Sequence, residues 1–128
     1  PELDQYHREY RQSVSEALDE WQSGGKDRLF HGAAAAIVVG SRPEATTPGE
    51  DALLATQNML LAAHSMGLVT CLIGFAVVAM VKDSRIPRSL GIPAEETVHA
   101  VVALGHPDEA YVRVAGRKPF VRRSFETV

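Results

Sequence analysis

The sequence has little cysteine, few aromatic residues and no long apolar run. Cys71 is the single cysteine among 128 residues, so no internal disulfide can form, which favours a reducing, cytoplasmic compartment. A membrane span needs ~18–20 apolar residues, and the apolar run 68–81 is shorter and is broken by Thr70 and Gly74. The net charge of −3 gives no basic footprint for nucleic acid. We therefore expect neither a membrane nor a nucleic acid as a partner.

The apolar pattern predicts helices and strands in alternation. We expect an amphipathic helix at the start of the chain, with Trp21 as an anchor in a core or an interface. Thr47, Pro48 and Glu50 predict the start of a second helix, which runs to about Met66 and is apolar nearly all round. We expect this helix to be buried in a core or a subunit interface. The full prediction is helix 3–21, strand 33–39, helix 48–66, strand 68–73, helical pieces 76–82 and 84–90, and strand 97–104.

This order of elements predicts an α+β fold, layered as in α/β proteins, with a central mixed sheet flanked by helices. After Pro107 the chain becomes charged, and five of its thirteen basic residues fall between 113 and 123. Such a run is usually a solvated face, although a fork-shaped guanidinium such as that of Arg117 is also suited to bind phosphate oxygens. The residues alone leave both interpretations open.

Three segments in order resemble a known family. They are FHGAAAAIVVG at 30–40, DALLATQNMLLAAHSMGLVTCLIG at 51–74, and LGIP at 90–93 followed by 98–107 and Arg117-Lys118-Pro119. Their order and spacing resemble the C-terminal half of the nitroreductase family, over roughly residues 30–120. The chain departs from the family pattern at Ala34, Val69 and His106. The arginine-serine-arginine element that the family carries near its N-terminus has no counterpart here.

The resemblance implies a single nitroreductase-like domain over residues 1–128, incomplete at the N-terminus, where the family has a flavin-binding segment. It implies a homodimer that holds FMN in the subunit interface. NAD(P)H would reduce the flavin, and the flavin would reduce a nitroaromatic, a quinone or a similar small-molecule acceptor. The flavin carries that chemistry, so no side chain is expected to be catalytic, and no spacing predicts a metal site.

The resemblance also implies which residues bind the cofactor. The turn Cys71-Leu72-Ile73-Gly74-Phe75 would lie against the flavin ring, where backbone N–H groups can meet the negative charge that develops on reduction. Arg117 and Lys118 stand where the family places a contact to the FMN phosphate. From the residues alone, Gly74 could instead be a bulge glycine at a strand end, and Cys71 a small buried core residue.

Two other functions remain open at this point. The chain could be a dimerisation or binding remnant without stable flavin, or a truncated fragment of a flavoprotein. It could also be an accessory module of a larger flavin enzyme. The absence of the N-terminal arginine element is the feature that keeps these alternatives open.

Overall fold

The computed structural model describes residues 2–109, 112, 116–119 and 121. The predicted elements are present in the predicted order, and their ends differ by a few residues. They are α1 Glu2–Gly24, β1 Ala35–Ser41, α2 Pro48–Ser65, β2 Val69–Leu72, α3 Gly74–Lys82, α4 Arg85–Ser89 and β3 Thr97–Gly105. No described helix has both the length and the apolar character that crossing a bilayer requires.

The three described strands form one sheet in the order β1-β3-β2. Strand β3 pairs antiparallel with β1 on one side and with β2 on the other. Strands β1 and β2 therefore run in the same direction without touching, and α2 connects them across the sheet. The α+β fold is as predicted, but the described strands pair only antiparallel, whereas we expected a mixed sheet. The last strand lies between the first two, so no parallel neighbours arise.

Helix α2 starts where the sequence predicts. Thr47 is its N-cap residue and Pro48 its first helical residue. The Thr47 side chain makes no capping hydrogen bond, and the backbone N–H of Asp51 donates to the Thr47 carbonyl at 3.0 Å. Gly67 follows the helix at φ +76°, a left-handed conformation that glycine adopts without strain.

The core lies on both faces of β3. Val101 and Val102 are neighbours on this strand and are each 1% exposed. Since successive side chains of a strand point to opposite faces, both faces of β3 must be covered. Ile73, Ala76 and Met80 of the α3 side pack with Val98, Val101 and Ala103, and Ala52 of α2 packs with Val39 and Ala100.

A bulge interrupts the pairing of β1 with β3. Val39 is opposite Ala100, but Gly40 is opposite Val98, so His99 is an extra residue in β3. Its Nε2 lies 2.8 Å from the Ser41 hydroxyl oxygen. The bulge lets Val98 join the cluster on the α3 side although its position would otherwise place it on the α2 side.

Two helices leave large apolar side chains uncovered. On α2 only Ala52, Thr56 and Ala63 are buried, while three long side chains are 57–66% exposed: Leu53, Leu54 and Leu61. Helix α1 packs closely against no other described helix or strand. The expected burial of α2 in the core of one chain is therefore wrong, and its burial in a subunit interface stays a prediction.

We expect Leu54→Glu to weaken self-association. A charge placed in the centre of an apolar interface should lower the binding free energy as much as the loss of a hot-spot residue does. The dissociation constant of the dimer should therefore rise about 30-fold or more. Sedimentation velocity over a concentration series measures this. Leu90→Glu is the control, because Leu90 is 57% exposed and lies outside α2. A folded wild-type protein that stays monomeric at high concentration would contradict the interface.

Candidate functional site

The turn between β2 and α3 contains the five residues that the sequence predicts to lie along a flavin ring. Cys71 and Leu72 end β2, where they pair with Ala103 and Val102. Gly74 and Phe75 are the first residues of α3. Cys71, Leu72, Gly74 and Phe75 are exposed. The structure thus places the turn where β2 ends, beside the middle of β3, and presents four of its five residues to solvent.

Ile73 fixes the position of this turn. Its backbone N–H donates to the Val101 carbonyl at 2.8 Å, which extends the sheet one residue beyond β2, and its side chain is buried in the core. Its carbonyl accepts a hydrogen bond of 3.1 Å from the N–H of Ala76. The Ile73 amide is therefore used within the fold, and the donor that the turn can offer to a ligand comes after it.

That donor is the backbone N–H of Gly74. It lies at the first position of α3, where no carbonyl one turn earlier in the helix can accept it. A Cβ atom added to Gly74 would meet nothing within 4 Å, and the residue does not have the positive φ that requires glycine. Among the described residues, neither packing nor backbone conformation explains the glycine. Its lack of a side chain leaves open space in front of a helix N-terminus, where the dipole favours negative charge.

Cys71 was expected to be a small buried core residue, and this expectation is wrong. Its side chain is exposed in the part of the chain that the structure describes. Cys71 lies on the wall of a cavity of about 330 Å³, beside His31 and His106. Among the described residues, no three histidine, cysteine or acidic side chains gather closely enough to hold a metal ion.

Arg117 and Lys118 lie apart from the turn in sequence. Both belong to the described stretch 116–119 and both are exposed. Neither forms an ion pair with another described residue. The remaining basic residues of the tail, Arg113, Arg122 and Arg123, lie outside the described residues. The contact of Arg117 and Lys118 with a phosphate stays a prediction.

The loop before β1 is organised by one carboxylate, which sequence reasoning missed. The Asp27 carboxylate accepts hydrogen bonds from the backbone N–H groups of Leu29 and Phe30 at 2.8 Å and of Gly32 at 3.1 Å. The bond from Phe30, followed by the bond from Gly32, lowers the pKa of Asp27 below its ordinary value. His31 and Gly32 take successive positive φ angles of 54° and 71°. An aspartate just before a glycine-containing turn is the signal that could have indicated this loop.

A groove lies between α1, this loop and α3, and sequence reasoning missed it as well. Its volume is about 670 Å³, and Phe75 beside the Gly74 turn is part of its wall. Trp21, expected to anchor a core or an interface, is 58% exposed there. The groove could not be read from the sequence, because its existence depends on α1 standing away from α3.

Comparison with known proteins gives one family. Residues 2–106 match the family model described as "Nitroreductase family". Among solved structures, a nitroreductase with bound FMN from Bacteroides fragilis has a TM-score of 0.65 and 26% identity. The match covers 85% of this chain and 60% of the Bacteroides chain. A nitroreductase with bound FMN from Desulfitobacterium hafniense has a TM-score of 0.59 and 27% identity, covering 80% and 56%.

An FMN-dependent nitroreductase from Clostridium difficile shares the fold at 18% identity, with a TM-score of 0.60 and coverage of 88% of this chain and 71% of its own. No curated protein matches the chain. The chain spans 60% and 56% of the lengths of the Bacteroides and Desulfitobacterium structures. These likenesses confirm the predicted fold class.

We expect Asp27→Asn to destabilise the protein at neutral pH and to lose this effect in acid. The pKa of Asp27 is lower in the folded chain, so its stabilisation is complete above the unfolded pKa of about 4 and is lost as the pH falls through the folded pKa. Urea unfolding from pH 7 down to pH 2 should show the difference between variant and wild type shrinking below about pH 4. Asp108→Asn is the control, because exposed Asp108 accepts no hydrogen bond from a described residue. A difference that does not change with pH would show that the charge of Asp27 is not the cause.

Proposed function

Since this chain belongs to the nitroreductase family, we propose that it binds FMN at the turn between β2 and α3 and acts as an FMN-dependent oxidoreductase. The observation that carries the proposal is the uncovered N-terminus of α3, where Gly74 leaves room for a flat ligand. The FMN bound to the nitroreductases from Bacteroides fragilis and Desulfitobacterium hafniense supports the choice of cofactor.

The residues of the turn fit a flavin ring in three respects. The Gly74 amide is a fixed donor at the positive end of a helix, which suits a ring that gains negative charge on reduction. Leu72 and Phe75 are apolar and are 54% and 47% exposed, so they can cover the ring from the side. The hydrogen bond from the Ile73 N–H to the Val101 carbonyl fixes the residue that precedes this donor. When bound, FMN would supply the electron transfer, and the chain would bind and orient it.

Arg117 and Lys118 are proposed to bind the FMN phosphate. Both are exposed and have no ion-pair partner among the described residues, so their charges are available. Arginine can offer two parallel N–H donors to phosphate oxygens, whereas lysine offers a point charge. We therefore expect Arg117 to contribute more than Lys118.

The finer parts of the function are proposals for the whole protein. We propose a homodimer formed through α2 and one nitroreductase-like domain over residues 1–128. NAD(P)H would be the reductant and a nitroaromatic, quinone or similar small molecule the acceptor. The exposed apolar residues of α2 support the dimer, because such a surface is normally covered by a partner. A non-catalytic dimerisation or binding protein is the alternative, and the FMN titrations below separate the two.

We expect Gly74→Val to reduce FMN affinity while leaving the fold intact. Its side chain would enter the open space in front of the helix and block approach to the amide. Losing one neutral hydrogen bond to the oxidised flavin ring would lower affinity about 2- to 10-fold. Fluorescence titration of FMN measures this, and thermal unfolding checks the fold. Gly24→Val is the matched control, because Gly24 also has open space around it and no positive φ. Unchanged FMN affinity in Gly74→Val would remove the turn from the site.

We expect Arg117→Ala to lower FMN affinity about 10- to 100-fold, because one charge-assisted bond to the phosphate is lost. Riboflavin has no phosphate, so its affinity should change little. Lys118→Ala should have a smaller effect than Arg117→Ala. Equal losses for FMN and riboflavin would show that Arg117 supports the fold rather than the phosphate. If wild type binds neither ligand, the non-catalytic alternative is favoured.

A further inference from the structure

The outer edge of strand β1 has no partner among the described residues. In the described sheet, β1 lies at one edge and pairs only with β3. Edge strands of natural proteins usually carry a charged residue or a proline that prevents pairing with another chain. Ala35–Ser41 contains neither. Residues 35–39 also keep a regular register, because the bulge lies beyond Val39. This edge is therefore an open template for a further strand.

The register shows which way the backbone groups of β1 point. The Val101 carbonyl accepts a hydrogen bond from the Ile73 N–H, so the backbone groups of Val101 point toward the β2 side. Those of the next residue, Val102, point the other way, toward β1, where Val102 is opposite Ile37. The N–H and C=O groups of Ile37 are therefore used in the pairing with β3.

Ala36 and Val38 flank Ile37, so their N–H and C=O groups point away from β3 toward the open edge. Among the described residues, these groups make no backbone hydrogen bond to a loop or a turn. Water can bind them one at a time, whereas a further strand would bind them all in register. The edge of β1 thus offers the alternating donors and acceptors that strand addition uses.

The Ile37 side chain lies on the same side of the sheet as α2 and is partly exposed. It shares its face with Val39, because side chains two residues apart in a strand point the same way. Val39 packs with Ala52 of α2, which identifies this face as the α2 side. Ile37 is 37% exposed. The exposed leucines of α2 and an exposed isoleucine at the sheet edge therefore belong to one side of the molecule.

We propose that β1 pairs with β1 of a second copy of this chain, antiparallel across a two-fold axis at Ile37. Ala36 of each copy would lie opposite Val38 of the other, and each of these pairs would exchange two hydrogen bonds. Ile37 would meet its own counterpart at the position where side chains of paired strands come closest. The proposal rests on the proposed homodimer and adds strand pairing to the contact through α2.

Charge and symmetry favour a second copy over a different protein as the partner. Since β1 carries no charge, identical strands do not repel each other, and no complementary charge selects another chain. The outward groups of Ala36 and Val38 match those of an identical strand in both directions, as an isologous contact requires. A two-fold axis normal to the sheet keeps α2 of both copies on one side. Strand pairing and the leucines of α2 can then form one closed interface.

Charged substitutions at Ile37 test the pairing, because the two-fold axis places this residue against itself. Ile37→Lys and Ile37→Glu should each raise the dissociation constant of the dimer about tenfold or more, since like charges would then lie opposite each other. An equimolar mixture of the two variants should associate at least about tenfold more tightly than either alone, because the opposed charges then attract. Sedimentation velocity measures all three samples. Ile37 is not buried, so both variants should fold, which circular dichroism checks.

Val81 provides the matched control. It is also β-branched, is 71% exposed and belongs to α3 rather than to β1. Val81→Lys, Val81→Glu and their mixture should associate as the wild type does.

Amide hydrogen exchange on the full chain gives a second, independent measurement. The amides of Ala36 and Val38 should be protected at concentrations where the dimer forms and should exchange freely on dilution. Those of Ile37 and Val39 point toward β3 and should stay protected in both states. This alternation along one strand is the signature of an added strand.

The outcomes separate the strand pairing from the rest of the proposed function. A wild-type dimer that the Ile37 variants do not weaken, or a mixture that associates no better than each variant alone, would overturn the pairing and leave a dimer through α2. Protection of the Ala36 and Val38 amides in the monomer would also overturn it, since another part of the same chain would then cover the edge. A wild-type protein that stays monomeric would overturn both the pairing and the homodimer. An FMN titration of the same samples tests the flavin site separately, because FMN binding by a monomer would leave that site intact.

Discussion

Strand β3 is paired on both edges, by β1 and by β2. It also has to be covered on both faces, because Val101 and Val102 point in opposite directions and each is 1% exposed. This requirement places α2 on one face and α3 on the other, with β1 and β2 at the edges. It also places the candidate site. The carbonyl of Val101 accepts a hydrogen bond from the N–H of Ile73. The residue after Ile73 is Gly74, the first residue of α3. The position of a solvent-facing turn thus follows from the most buried strand.

The order of the elements could be predicted from the sequence because each leaves a local signal. Glycine or proline marks most of the ends, and the period of the apolar residues separates helix from strand. The pairing could not be predicted, because β3 is the last strand in sequence and yet lies between the first two. The bulge at His99 was equally hidden: it shows only in the register, where Val39 and Gly40 face Ala100 and Val98.

The candidate site could be predicted in part. Resemblance to a family names the five residues of the turn, and the structure shows that Gly74 among them is the first residue of α3. Asp27 was missed, because its role depends on three backbone amides that come within reach only after the loop has folded. Trp21 is expected in a core or an interface because it is large and continues the apolar spacing of the predicted helix. Whether a large aromatic residue is covered depends on how two helices lie relative to each other, which local pattern does not contain.

Helix α1 differs from the other described helices in its packing. No described helix or strand packs closely against it, and Gly24 and Gly25 separate it from the loop that follows. The ion pairs of Glu20 with Lys26 and Arg28 join its last turns to that loop. Its backbone amides can therefore open to solvent without breaking any contact of the sheet. In hydrogen exchange, the amides of α1 should then exchange much faster than those of the sheet, as a separate cooperative unit. The groove would exist only while α1 is folded.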